Sequence, residues 1–479
     1  MTAMPRPATE TDSASLSART PASPRTWPVV LAACAGQFLV VLDVSVVNVA
    51  LPSMRADLGL SAAGLQWVLN AYAIAFAGFM LLGGRAADLF GRKLMFLTGL
   101  TVFTLASLAG GLAQEGWQLL AARAVQGLGA AVLAPATLTI LTAAVPSGVA
   151  RTRAIGTWSA VGAGGGAAGG LVGGVLTDLL SWRWVLLINV PIGALVLVGA
   201  VVWLAESRTE QRRRLDLPGA VLVTAGLALV AYGIVQTEKE GWGAAPTLLP
   251  LAAGALLLAL FVGVEARTKA PLMPLGLFRV RAVSAANAAM FVCGAASFST
   301  WFFMTVYIQN VLGYTPLDAG LALIPSSLSI VLGSKLAPRL MARIDARDLA
   351  VLGALIAAAG FGWQSTMTAD GTYLTVVLGP GILMMVGMGL AATPLAALAT
   401  AGAAPGEAGL VSGLINTSRT MGGALGLAVL STVAAARTAG GTTPEALTAG
   451  YALAFRTGTG VLLVGVTLML VWLPRRTET

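Results

Sequence analysis

The chain alternates between long apolar runs and short polar breaks. Fourteen runs stand out, near residues 28–50, 64–83, 94–112, 117–141, 154–177, 184–204, 216–236, 247–266, 283–308, 316–336, 348–367, 373–396, 409–432 and 450–473. Each approaches the roughly 20 apolar residues that a helix needs to cross the hydrocarbon core of a bilayer. Within that core every backbone N–H and C=O must be satisfied inside its own segment, so runs of this length are helices. The pattern predicts an all-α integral membrane protein with 14 transmembrane helices. An even number of crossings returns both termini to one side.

The basic residues orient the crossings. Of the 29 Lys and Arg, two, Arg123 and Arg419, are set deep in apolar runs without being assigned to a side, and Arg55, Arg183, Lys239, Arg437 and Arg456 are assigned to the side away from the termini. The other 22 lie in the terminal segments or in and beside the connections on the same side as the termini. Cytoplasmic connections carry the excess of Lys and Arg, so both termini are expected in the cytoplasm, and the cell membrane is the expected location. The same bias accounts for the net charge of +9, which reflects topology and not nucleic-acid binding.

Charges inside the runs are candidate chemistry. The stretch GQFLVVLDVSVVNVALP, residues 36–52, carries Asp43 in an otherwise apolar helix, and Arg123 sits early in the fourth run. Asp43 is seven residues before Ala50 and Arg123 six after Trp117, which puts both about 10 Å from the same edge at 1.5 Å per residue. A charged side chain at mid-helix costs about 2.5–3.5 kcal/mol and normally pairs or lines a cavity. The two are therefore expected to approach one another in at least one state. Burial and Arg123 act on the Asp43 proton in opposite senses, so a pairing that changes with conformation would couple protons to movement. A permanent structural ion pair, or contact of Asp43 with a cationic substrate, is the alternative.

Around the first helix, Gln37 and Asn48 fall about 120–140° from Asp43, giving two polar positions, one for Arg123 and one for a central cavity. Candidate cavity residues are Gln37, Asn48, Asn70, Trp158, Trp301, Tyr307 and Asn416, all polar or aromatic within runs. Arg419, near mid-depth of the thirteenth run, has no acidic partner in the C-terminal runs; helix carbonyls, an anionic substrate or a lipid could meet it. In the fifth run Gly162, Gly166, Gly170 and Gly174 recur every four residues beside Gly165, Gly169 and Gly173. Two ridges without side chains let another helix approach closely, either as static packing or as a seam that moves.

The connections GGRAADLFGRK after run two and LGSKLAPRLMAR after run ten match in outline. If equivalent, runs 1–6 repeat as runs 9–14 with two inserted, an arrangement that places a substrate site between the halves. The expected organisation is a disordered cytoplasmic tail at 1–27, without the apolar core of a cleavable signal; a six-helix bundle at 28–204; two inserted central helices at 205–282; a six-helix bundle at 283–473; and a cytoplasmic tail at 474–479.

Several stretches resemble the major facilitator superfamily, specifically its fourteen-span drug:proton antiporters of the multidrug efflux type. LDVSVVNVALP is similar to the first-helix motif of that family, and GGRAADLFGRK to the loop motif, with Gly84, Asp88, Gly91, Arg92 and Lys93 in place. RAVQGLGAA resembles the fourth-helix motif through Arg123, Gln126, Gly127 and Gly129, and GGLVGGVLTDLLSWRWVLLINVPIG the antiporter motif. YIQNVLGYTPLDAGLALIP and GLVSGLINTSRTMGGALG resemble family segments further on, so the match runs from about residue 28 to 473. The resemblance implies the major facilitator fold of two six-helix bundles. It also implies that Asp88, Arg92 and Lys93 latch neighbouring helices and bias the inward–outward equilibrium, and that compounds are exported in exchange for protons. One departure stands in the antiporter motif, where the usual Gly-Pro is Gly169-Gly170.

Composition removes other classes. Charged residues make up 10% of the chain, against about 25% in soluble domains. Histidine is absent, so there is no His-ligated metal and no Ser-His-Asp triad; no GxxxxGK[ST] phosphate loop occurs. Cys34 and Cys293 lie in apolar runs and read as packed thiols. No enzyme activity and no cofactor other than the coupling proton are expected. The expected partners are the bilayer and small, neutral, monocationic or amphipathic substrates, with the chain acting as a monomer; a proton-coupled nutrient importer and a non-transporting receptor or lipid-handling protein are the alternatives.

Overall fold

A computed structural model describes residues 26–475 except 147, 207–214, 269–270 and 402–407; the side chains of Asp88, Val149, Thr152, Ala163, Glu238, Lys239, Ala408 and Gly409 are likewise outside the description. The expected tail at 1–27 lies almost wholly outside these residues. The described chain is helical: α1 Thr26–Leu58, α2 Ala62–Phe90, α3 Arg92–Gly111, α4 Gly116–Ala144, α5 Val149–Leu179, α6 Trp184–Leu187, α7 Asn189–Trp203, α8 Leu217–Glu240, α9 Ala245–Arg267, α10 Arg281–Asn310, α11 Pro316–Leu340, α12 Ala346–Gln364, α13 Gly379–Ala401, α14 Ala408–Thr438 and α15 Pro444–Trp472. The short α6 runs almost directly into α7, and a turn of π-helix at Leu374–Leu378 leads into α13, so 14 segments have the length and apolar character to cross a membrane.

Several helices begin where the sequence supplies acceptors for their first N–H groups. Ser61, Thr315 and Thr443 cap α2, α11 and α15 through their hydroxyls, and Glu115 with Gln118 forms a capping box at α4. Such caps satisfy donors that have no partner inside the helix. The helices also outrun the apolar stretches. α1 continues to Leu58 with Pro52 inside it, which leaves Asp43 15 residues from that end and near the helix centre. The polar last turns of α1 extend the helix beyond the apolar run, and Asp43 stays level with Arg123, 7 residues from the start of α4.

The packing repeats. α1 lies on α5, and α2 and α3 lie on α4; correspondingly α10 lies on α14, and α11 and α12 on α13. The halves touch through equivalent pairs, α5 with α11 and α14 with α2. α8 and α9 pack on each other, and α8 lies along the outside of the α2–α14 seam, where Thr432 donates to the carbonyl of Ile234. At the base of this inserted pair Asp216 caps α8 through Gly219, and Glu265 accepts the N–H of Met273. One oxygen of each buried carboxylate has no hydrogen-bond partner, and a Cβ on Gly219 would meet both.

On the face opposite the termini the halves are closed. The carbonyl of Gly170 in α5 lies against Gly320 of α11, a Cβ on Gly174 would stand 2.7 Å from the Pro316 carbonyl, and Gln309 donates to the carbonyl of Val49 at 2.8 Å. On the side of the termini, Gly156 and Ser159 of α5 and Ser412 and Arg419 of α14 are exposed. Within the N-terminal half the closed face is stapled by Arg183, which reaches Asp57 at 2.5 Å and the Ala113 carbonyl at 3.0 Å, and by Trp182, which donates to the same carboxylate at 2.9 Å.

Candidate functional site

The structure brings Asp43 and Arg123 together. Nη1 of Arg123 lies 2.6 Å from Oδ2 of Asp43, and both side chains are buried, at 1% and 0% exposure. Neither charge is left to its partner alone. Arg123 also donates through Nε to the carbonyl of Val68 at 3.1 Å and through Nη1 to Oε1 of Gln126 at 2.6 Å, and its guanidinium lies 4.4 Å from the centre of the Tyr72 ring. The other carboxylate oxygen, Oδ1, accepts from Nε2 of Gln126 at 2.7 Å and from Nδ2 of Asn189 at 2.9 Å. Ser107 accepts from both amides and donates to the carbonyl of Phe103. A buried ion pair holds only when further hydrogen bonds satisfy its remaining atoms; Val68 of α2, Gln126 of α4 and Asn189 of α7 supply them here, with Ser107 of α3 holding the two amides.

Asn189, Ser107 and Tyr72 were not among the expected site residues. Gln126 was, but only as a motif position; it lies one turn from Arg123 on the same face of α4, which a helical wheel shows. Asn189 stands alone in the apolar run WVLLINVPIG, a signal of the same kind as Asp43 itself. Ser107 and Tyr72 carry no comparable signal.

The cavity candidates separate. Asn416 and Arg419 lie on one face of α14, with Arg419 exposed and Asn416 half-buried. Gln37 is half-buried against Gly162, and Asn48 bonds its own helix at the Val44 carbonyl. Asn70 is 1% exposed, with neither amide atom partnered. Two residues depart from the expectation. Tyr307 is fully buried and donates to the Thr368 carbonyl at 2.6 Å, within the C-terminal half. Trp158 donates to Thr137 at 3.0 Å and packs with Val30 and Cys34 between helices of the N-terminal half. In both, a nearby acceptor satisfies the polar tip while the ring packs. Trp301 is half-buried against the main core, and Cys34 and Cys293 are buried free thiols.

The glycine ridges of α5 divide between two partners. Gly162, Gly165, Gly169 and Gly173 face α1, and the carbonyl of Gly166 accepts from Ser45 at 2.7 Å. Gly170 and Gly174 face α11. Gly170, where the motif has proline, is the crossing point itself: a Cβ there would be 3.3 Å from the Gly320 carbonyl, so a proline ring would meet the α11 backbone. Of the loop motif, Gly84 sits near Pro135, and Gly91 adopts φ 113°, the left-handed region where glycine is unstrained, as it joins α2 to α3. Lys93 donates from Nζ to the Val201 carbonyl at 2.8 Å. Arg92 is the first residue of α3; the side chain of Asp88 lies outside the described residues. Beside Gly91 the carboxylate of Glu206 accepts the N–H groups of Lys93 and Leu94 at 3.2 and 3.1 Å, a cap on α3 that the sequence did not announce.

Comparison with known proteins agrees with this geometry. Residues 33–427 match the Major Facilitator Superfamily. The chain is 49% identical to the cephamycin export protein CmcT of Amycolatopsis lactamdurans, over 96% of this chain and 95% of that one. It is 40% identical to the puromycin resistance protein pur8 of Streptomyces alboniger, over 95% and 93%. Among solved structures the fold matches a D-xylose-proton symporter at TM-score 0.67, 14% identity and coverage of 95% and 99% of the two chains, and the POT family transporter PepTSo at 0.68, 16%, 94% and 97%. With 14 apolar helices in two repeating bundles and export and resistance proteins as relatives, the chain belongs to the Major Facilitator Superfamily of membrane transporters.

Proposed function

We propose that the protein exports small hydrophobic or amphipathic compounds, antibiotics among them, across the cytoplasmic membrane in exchange for protons, with both termini in the cytoplasm. Relatives named for antibiotic export and resistance support the substrate class and the direction. The observation that carries the coupling is the buried pair Asp43–Arg123.

The chemistry runs through one carboxylate. With Asp43 ionised, Arg123 is neutralised and its half is held as described. A proton on Asp43 removes the charge that Arg123 balances, leaving a buried guanidinium with only neutral acceptors, the Val68 carbonyl and Gln126. Removing one member of a buried pair costs about 3–5 kcal/mol, so Arg123 gains by moving toward a wetter position. That movement favours a second arrangement of the half. In this state Asp43 is sealed from water, so its proton is exchanged in the other arrangement. A membrane potential contributes about 2.3 kcal/mol per charge per 100 mV, comparable to the cost of separating the pair.

The halves move at contacts between small residues. Closure opposite the termini rests on Gly170, Gly174 and Gly320, and exposure on the terminal side fits a cleft open to the cytoplasm. Asp88, Arg92 and Lys93 at the α2–α3 turn act as the latch on that side. Everted membrane vesicles test the reading: an acid interior drives accumulation of the exported compound, and adding the compound releases protons. Asp43→Asn abolishes both responses at normal expression; pH-driven accumulation by this variant at the wild-type rate overturns the assignment.

A further inference from the structure

Arg123, Arg419 and Arg456 lie well inside α4, α14 and α15, and the first two stand in opposite conditions. Arg123 is buried, paired with Asp43 and bonded to Val68 and Gln126. Arg419 lies 11 residues into α14 from Ala408, about 16 Å along the helix, with no hydrogen-bond or ion-pair partner among the described residues. Its side chain is exposed.

That exposure is toward the space between the halves. The backbone of Arg419 packs on Gly294 of α10, and Gly422 packs on Phe291 of the same helix. Gly413, on another side of α14, meets Leu81 of α2. Beyond α2, the outer side of the seam is covered by α8, with Met421, Ala424 and Leu425 in the cluster of Val223 and Leu227. Arg419 shares its face with Asn416 and Ser412, at helical spacings of three and seven residues, and this face lies between α10 and the α2 contact. A polar stripe headed by arginine in hydrocarbon is costly, and such residues face the bundle interior or water.

Nothing in the described chain balances this charge. Asp318, Asp345, Asp348 and Glu445 sit at the first turns or caps of α11, α12 and α15, and Asp370 lies in the connection before the π-turn. Asp43 is committed to Arg123. The cleft therefore presents a free guanidinium flanked by an amide and a hydroxyl, a donor set matched to a carboxylate.

We propose that Arg419, with Asn416 and Ser412, binds an anionic group, a carboxylate or its equivalent, on the exported compound. This rests on the reading of the protein as an exporter and narrows the expected substrates from neutral or monocationic to amphipathic anions. Charge-assisted hydrogen bonds of this kind make a difference of roughly 10–100-fold in affinity.

Three probes with one aromatic body separate charge from hydrophobicity: 1-pyrenebutyrate, its neutral carboxamide and a pyrenylbutyl-trimethylammonium. Binding to the protein in nanodiscs is read by energy transfer from tryptophan to pyrene. The wild type is expected to bind the carboxylate at least tenfold more tightly than the carboxamide. Arg419→Gln removes that preference without changing carboxamide affinity, and Arg419→Lys keeps part of it. A wild type that favours the trimethylammonium, or is indifferent to charge, overturns the proposal even if the variants fail to fold; so does Arg419→Gln retaining the preference. Uptake of the same probes by everted vesicles isolates the export reading. Arg419-dependent binding without uptake refutes export and leaves the anion site standing, whereas uptake of the carboxamide or the cation alone refutes the anion site and leaves export standing.

Discussion

The pair Asp43–Arg123 permits a quantitative test through its variants Asp43→Asn and Arg123→Gln, singly and together. Asp43 offers only acceptors: Oδ1 takes two N–H donors at 2.7 and 2.9 Å, and Oδ2 takes the guanidinium at 2.6 Å. Asparagine keeps one oxygen and introduces an NH2 group. If its oxygen serves Arg123, its NH2 faces the amide donors of Gln126 and Asn189; if it serves those amides, its NH2 faces the guanidinium. Either way a donor meets a donor and Arg123 remains charged and buried, for a cost of about 3–5 kcal/mol. Arg123→Gln costs less, because the amides of Gln126 and Asn189 still donate to Oδ1 of Asp43. In the double variant no charge is left, so its cost falls short of the sum of the singles by about 2–3 kcal/mol, within the range for residues of one network. Helix content followed by circular dichroism, during equilibrium unfolding in mixed micelles of increasing SDS fraction, gives the three values. A coupling within about 0.5 kcal/mol of zero would mean that the two charges do not depend on each other, and the argument for proton-driven release of Arg123 would fail.

Three further outcomes follow from specific contacts. Gly320→Ala places a methyl group against the Gly170 carbonyl, so α5 and α11 separate opposite the termini and a cysteine introduced at Leu317 becomes more reactive to an impermeant thiol reagent; unchanged labelling refutes the contact as a gate. Gln309→Ala removes a hydrogen bond between the halves worth about 0.5–1.5 kcal/mol, shifting the two-state ratio roughly two- to tenfold toward the form open on that face, measurable by spin-label distances across the cleft. Glu265→Gln relieves the facing of two buried carboxylates, neither with a basic partner among the described residues, so the variant unfolds at a temperature equal to or above that of the wild type at pH 8; a lower midpoint refutes the repulsion.

What could be read from the sequence follows from how strongly the bilayer constrains it. The number of crossings was legible because every backbone group must be bonded within its own helix, and that requirement sets a length. Asp43 and Arg123 were legible because a lone charge in an apolar run is costly enough to demand a partner. Asn189 exerts a weaker demand, since an amide finds an acceptor at many depths, and its role emerged only from its distance to Asp43. Tyr307 and Trp158 were misplaced for a related reason: a ring within a run looks the same whether its polar atom meets a cleft or a neighbouring helix. The glycines of α5 announced a face without side chains but not its occupant. α1 and α11 cross the helix at different points, so one four-residue ridge passes from the first neighbour to the second between Gly166 and Gly170.

Under the proposed coupling through Asp43, the complete enclosure of this carboxylate also bears on the economy of the cell. A carboxylate open to water from both sides would let protons drift inward continuously, and the gradient would run down whether or not any compound was present. An enclosed one is idle until the halves rearrange. The expense of keeping such a transporter in the membrane then scales with traffic and not with copy number, so a cell can hold many copies in readiness.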